Sequence, residues 1–193
     1  MPSAHATDTL LDFADPEAAK PFRVINDGVM GGVSSSTLRG AEGALRFEGA
    51  VSLENGGGFA SFRGPVEVPA GAAALLVTVR GDGKRYRLTM KLDDSNASPQ
   101  YQSAFTAPQH WTVLRFVPAD FSASFRGRPV DAPPLAFEAA RTIGLLISDR
   151  QAGPFGVEIA RVEIARAGAE RRDAGGAPAG SNEVRGPTSP RPD

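Results

Sequence analysis

Apolar side chains in this chain recur at every second residue rather than every third or fourth, so the chain reads as strands. Tyr86, Leu88, Met90 and Leu92 alternate with Arg87, Thr89 and Lys91, as in a strand that buries one face. Leu45 and Phe47 alternate with Arg46 and Glu48, and Phe155, Val157 and Ile159 repeat the pattern. Leu75 to Arg80, Tyr101 to Phe105 and Trp111 to Phe116 are further strand candidates. The unbroken apolar run Ile143 to Ile147 fits a strand covered on both sides. Beyond Ile159 the parity slips, because Val162 and Ile164 continue one register off, which predicts a bulge near Ala160-Arg161. Trp111, Phe59 and Phe155 are expected in the core.

Turn chemistry punctuates these runs. Gly81-Asp82-Gly83 reads as a hairpin between two strands, and Pro65 to Gly71, Asp93 to Pro99 and Gly127 to Pro134 read as loops. Helical signals are confined to single turns: Asp15 as cap with Pro16 at the first position, and Phe137 to Arg141. Many short strands separated by regular turns predict an all-β sandwich. The jelly-roll form is favoured over an immunoglobulin type, because the chain has no cysteine and so no Cys-Trp-Cys spacing.

Composition narrows the function classes. A net charge of −1 argues against an electrostatic nucleic-acid binder. No apolar stretch approaches the roughly 20 residues that cross a bilayer. The first residues show no signal peptide and no arginine, and the absence of cysteine agrees with a cytoplasmic protein. Residues 1–7 are expected to be flexible, 8–166 to form the sandwich, and 167–193, rich in Gly, Ala, Pro, Ser and Arg, to be a disordered tail. With His5 and His110 far apart and no thiolate, no metal site is expected, and no cofactor either. Asp93-Asp94-Ser95-Asn96 reads as a solvated turn, with a loose calcium loop as the second reading.

Two motifs break the strand pattern. Val24 to Ser34 contains Asn26-Asp27 followed by Gly28, Gly31 and Gly32, and Asn55-Gly56-Gly57-Gly58-Phe59-Ala60-Ser61 echoes it. Glycines beside Asn and Asp mark bends in which a polar side chain bonds nearby backbone. The expectation is that the two motifs lie beside each other, that Asn26, Asp27 and Asn55 bond backbone groups, and that Gly31, Gly32, Gly57 and Gly58 admit close passage. Met30 and Ser34 belong to the same candidate set, together with Arg126, Asp149 and Gln151 farther on. Ser148 to Gln151 is expected as the loop of a hairpin that returns at Phe155. One of Arg63, Arg80, Arg126 and Arg150 is a candidate to pair with Asp27 or Asp149. No nucleophile elbow, phosphate loop or dinucleotide fingerprint accompanies these residues, so no catalytic residue is assigned.

Taken in order, Ile25-Asn26-Asp27-Gly28-Val29-Met30-Gly31-Gly32-Val33-Ser34, Phe47-Glu48-Gly49, Leu53 to Ser61, Arg80-Gly81-Asp82-Gly83, Phe125-Arg126-Gly127-Arg128 and Ser148 to Phe155 resemble the complex I intermediate-associated protein 30 family. Phe22 stands where that family's pattern has tryptophan. The resemblance implies a galactose-binding-like jelly roll. It also implies an assembly-factor role without catalysis, in which a protein partner, possible among respiratory-complex subunits, is bound. The chain looks like a stand-alone, bacterial-type member. Three functions compete: a protein-binding module with an exposed apolar or mixed patch, a carbohydrate-binding module with an aromatic shelf or polar groove for a small carbohydrate ligand, and an enzyme with a cleft of displaced titratable groups.

Overall fold

In the computed structural model the described residues are 7–95 and 97–166. Of the segment 1–7 expected to be flexible, residues 1–6 lie outside them, and Thr7 is the first residue of a strand rather than loose; the expected tail 167–193 also lies outside, as do the side chains of Val29 and Met30. The strands are β1 (Thr7–Asp12), β2 (Arg23–Asn26), β3 (Ser35–Ala41), β4 (Ala44–Val51), β5 (Ala60–Pro65), β6 (Ala72–Gly81) and β7 (Arg85–Lys91). They continue with β8 (Gln100–Thr106), β9 (Thr112–Phe116), β10 (Ser122–Phe125), β11 (Arg128–Pro129), β12 (Thr142–Ile147) and β13 (Gly153–Arg166). The longer helical segments are single 3-10 turns, one of them at Pro16–Ala19 with the Asp15 carboxylate accepting from Glu17 N, as the cap signal predicts.

The strands form two antiparallel sheets. One runs β3-β4-β13-β6-β9, with β1 also paired to β13, and the other runs β11-β10-β8-β7-β12-β5-β2. Alternation puts Phe47 of β4, Val77 of β6 and Val157 of β13 on the inner face of the first sheet. Phe62, Leu88 and Leu145 face them from the second sheet. Phe47 sits at the centre, edge-on to Phe62 at 5.0 Å and tilted on Phe155 at 4.9 Å between centroids. Burying each such ring contributes about 1.5–3 kcal/mol. The chain is therefore the all-β jelly-roll sandwich that the period predicts.

The bulge is where the parity slip puts it. The β13–β6 register shifts between Ile159 and Arg161, and Ala160 O accepts from Phe13 N at 3.0 Å. β13 pairs β4 on one half and β1 on the other.

Three expectations need correction. Gly81-Asp82-Gly83 is not a hairpin, because β6 and β7 belong to opposite sheets. Gly81 N and Gly83 N bond Pro108 O and Ala107 O instead, and Asp82 ties the corner by accepting from Tyr86 Oη and Gly156 N. Likewise Ser148–Gln151 carries the chain from one sheet to the other and is not a hairpin loop, although Phe155 does return to the core. Period-two reading cannot separate a hairpin from a crossover, since both need a tight turn. Leu92 lies past the end of β7 and is 41% exposed, so the apolar face stops at Met90.

Candidate functional site

The two glycine motifs meet around one carboxylate. β2 pairs β5, with Asn26 opposite Ala60, so the segments following β2 and preceding β5 leave the sheet side by side. Asp27 follows β2 and is 1% exposed. Its carboxylate accepts from Ser34 N at 3.0 Å, Ser34 Oγ at 2.5 Å, Gly58 N at 2.8 Å and Phe59 N at 3.3 Å. Ser34 Oγ in turn accepts from Ser52 N at 3.0 Å. A β-carbon on Gly32 would lie 2.4 Å from Asp27 Cγ, and one on Gly57 would lie 2.6 Å from Asp27 Oδ2. Glycine is needed at both positions because the carboxylate occupies that space. Gly31 at φ +87° ends the turn Asp27–Met30 and Gly58 lies at φ +137°, where other residues are strained. Burial pushes the Asp27 carboxyl up, and the bonds from Ser34 Oγ, Gly58 N, Phe59 N and Ser34 N outweigh it, so the group sits below its ordinary range.

The remaining candidates separate from this elbow. Asn26 Oδ1 accepts from Ser36 Oγ at 2.7 Å, a side-chain partner in place of the expected backbone one. Asn55 is exposed, left-handed at φ +55°, and its side chain makes no hydrogen bond, contrary to expectation. Met30 lies in the elbow by its backbone. Asp149 pairs with Arg87 at 2.6 Å, and the Gln151 amide bonds both Arg85 N and Arg85 O, so these two pin the β12–β13 crossover to β7. Arg126, at φ +50°, stands on the β10–β11 turn over the Phe125 ring, at the far edge of its sheet from β2. Among the described residues no arginine pairs with Asp27. Arg63 pairs with Asp94, Arg80 with Glu158, and the partner of Asp149 is Arg87, which was not among the candidates.

The acidic turn is closed by a side chain of the protein. Lys91, 5% exposed, donates its ammonium to Ser95 O and Ser98 O, and Arg23 and Arg63 both reach Asp94. An ammonium thus stands against the carbonyls that a calcium reading would use; Asn96 lies outside the described residues. Among the described residues Ser34 has a carboxylate beside it but no histidine, because His110 precedes β9, the opposite edge strand of the first sheet. The open groove between β1 and residues 67–69, about 440 Å³, has Asp8 and Glu67 on its walls, and Asp8 is already bound by Arg166 at 2.7 Å. Neither place assembles a nucleophile with a base.

The feature the sequence reading missed is at β9. Trp111 is 42% exposed and Val113 56% exposed, so Trp111 is not core. Counting back by twos from the buried Phe116 reaches Leu114 and Thr112, which leaves Trp111 and Val113 on the outer face. The Arg80 guanidinium lies 4.7 Å over the Trp111 ring. Arg80 ends a row of cross-strand neighbours, Arg39, Arg46, Glu158 and Arg80, that runs from β3 across β4 and β13 to β6 on the outer face. Glu158 links Arg46 and Arg80 within it.

Comparison with known proteins follows the same lines. Residues 11–159 match the family described as complex I intermediate-associated protein 30. No curated protein matches. Among solved structures, the family 11 carbohydrate-binding module from Clostridium thermocellum, in complex with a β-1,3-1,4-mixed-linked tetrasaccharide, superposes with a TM-score of 0.62 at 12% identity. It covers 86% of this chain and 98% of the module. The family 11 module of the cellulosomal cellulase Lic26A-Cel5E of the same organism gives 0.60 at 13% identity, covering 86% of this chain and 97% of that one. At these identities the likeness is one of fold, and it is a likeness to jelly rolls of the galactose-binding-like kind.

Proposed function

Because the chain belongs to the complex I intermediate-associated protein 30 family, we propose that it is a non-catalytic module that docks on a protein of a respiratory-complex assembly intermediate through the outer edge of β9. The observation that carries this reading is the exposed pair Trp111 and Val113 on an edge strand with no further strand beside it among the described residues. An exposed tryptophan next to an exposed valine leaves apolar surface in water that a partner would cover. Tryptophan and arginine are the side chains that most often dominate protein interfaces. The Arg80 stack holds the ring in place before a partner arrives, which lowers the ordering cost of docking.

The carbohydrate reading draws on the likeness to the family 11 modules. A sugar shelf needs aromatic faces open side by side. Among the described residues the strongly exposed large apolar side chains are Val33, Leu92, Trp111 and Val113, with one ring among them and a guanidinium already over it. The protein reading is therefore preferred.

The test is capture from detergent-solubilised native membranes with the full chain and with Trp111→Ala/Val113→Thr. The expected result is recovery of complex I subunits by the parent chain and loss of about 2 kcal/mol of affinity, or roughly thirtyfold, in the variant. Equal capture by both chains overturns the assignment to β9. Saturable quenching of the only tryptophan by mixed-linkage glucan, with no protein captured, overturns the protein reading.

A further inference from the structure

Asn55 is the elbow residue that the elbow does not use. Its side chain faces solvent and makes no hydrogen bond, in a motif whose other polar side chains are all engaged. Three glycines follow it. Gly56, at φ +75°, has nothing within 4 Å of the place a β-carbon would occupy. An asparagine amide is chemically labile when the next backbone nitrogen can reach its side-chain carbon, and a following glycine offers least obstruction.

We propose that Asn55 is a site of spontaneous modification, and that its conversion unlocks the Asp27 elbow. In the first step Gly56 N attacks Asn55 Cγ, the new C–N bond closes a five-membered succinimide, and the side-chain nitrogen leaves as ammonia. Water then opens the ring. Cleavage at one carbonyl leaves aspartate, and cleavage at the other leaves isoaspartate, whose backbone runs through the former side chain. The balance is one water consumed and one ammonia released, with no oxidant or reductant.

The coupling to the fold follows from position. Gly58 N and Phe59 N, three and four residues after Asn55, are two of the donors to Asp27. Isoaspartate inserts a methylene into the chain that delivers them and abolishes the left-handed turn at Asn55, which holds φ +55°. Asn26 is the internal control. Its oxygen is held by Ser36 Oγ, its backbone is paired within β2, and Asp27 follows it rather than glycine.

The experiment incubates the full chain in mildly alkaline buffer and follows each asparagine by peptide mapping that separates aspartate from isoaspartate. Amide exchange at Gly58 and Phe59 is measured on the same samples. The expected result is conversion of Asn55 at least about tenfold faster than Asn26. Loss of exchange protection at Gly58 and Phe59 is expected in the isoaspartyl fraction, and retention of it in Asn55→Asp, which adds the charge without the methylene. Asn55→Gln, in which the smaller ring cannot form, keeps its protection throughout. Asn55 converting no faster than Asn26 overturns the site. An isoaspartyl chain as protected as the parent overturns the coupling.

Discussion

Replacing Asp27 by asparagine tests the elbow at a single atom. Oδ2 receives Ser34 Oγ, Gly58 N and Phe59 N, while Oδ1 receives Ser34 N alone. The least costly asparagine rotamer keeps its oxygen on the three-donor side and points its NH2 at Ser34 N–H. One buried donor is then unpaired and faces another donor, and the remaining bonds lose their charge assistance. Leaving one buried donor unsatisfied costs about 1–3 kcal/mol, so Asp27→Asn is expected to lose about 2–3 kcal/mol. Asp27→Ala, which strands three backbone donors, is expected to lose about 3–5 kcal/mol. For a domain of this size about 2 kcal/mol lowers Tm by roughly 4–8 °C. The carboxyl is held below its ordinary value of 3.8. Its contribution is therefore complete above that value and is lost as pH falls through the folded value. The assay is thermal unfolding of parent and variants from neutral to acidic pH. Parent and Asp27→Asn curves are expected to converge as the acid limit is approached. A variant within about 0.5 kcal/mol of the parent at neutral pH, or a difference that widens in acid, refutes the latch. If Tm falls while protein capture is unchanged, Asp27 has no part in binding.

Three further outcomes follow from the same geometry. Gly32→Ala, whose β-carbon would meet Asp27 Cγ at 2.4 Å, is expected to cost about 1–3 kcal/mol, whereas Gly28→Ala, with open space around it, stays within about 0.5 kcal/mol; urea unfolding measures both. Trp111→Ala is expected to leave stability within about 1 kcal/mol, because the side chain is half-exposed and stacks on a single guanidinium, that of Arg80, so a large fall in Tm would show that the residue supports the fold. Burial, then repulsion from Arg63, pulls Lys91 below its ordinary 10.5. The folded state therefore sheds this proton first, and stability is expected to rise between the lowered value and 10.5; Lys91→Met removes that alkaline rise in denaturant titrations.

The legible parts of this protein are those that local alternation decides. Leu45, Phe47, Leu88 and Val157 are buried where the period puts them, and the slip after Ile159 is a bulge, because side-chain parity is a property of the strand itself. The meeting of the glycine motifs was also legible, since paired Asn/Asp and glycine bends need a neighbour to bond. What the bends bond to was not. The sequence cannot say that Asp27 is the hub while Asn55 is idle, since that depends on which side chain the β2–β5 pairing turns inward. The hairpins at Gly81–Gly83 and Ser148–Gln151 failed because a turn's chemistry does not reveal which sheet its second strand joins. Trp111 failed because hydrophobicity was weighed ahead of its parity relative to Phe116.

The elbow and the β9 edge lie on opposite flanks of the same sheet. Ser34 leads into β3, the first strand of the order β3-β4-β13-β6-β9, and Trp111 leads into the last. Four strand spacings separate them, about 19 Å. The Arg39, Arg46, Glu158 and Arg80 row covers three of those four spacings on the outer face, and the Arg80 stack on Trp111 bridges the fourth. The motifs that mark the family therefore need not touch the partner proposed for the β9 edge. A glycine-lined carboxylate at one edge fixes where β3 and β5 leave the corner, and the opposite edge carries the exposed tryptophan. On this arrangement Asp27→Asn and Trp111→Ala act through different steps, and sites this far apart add within about 0.5 kcal/mol. The double variant is expected to show the Tm loss of the first and the capture loss of the second, each undiminished. A capture defect in Asp27→Asn at temperatures where it is fully folded would mean that the elbow and the β9 edge form one surface.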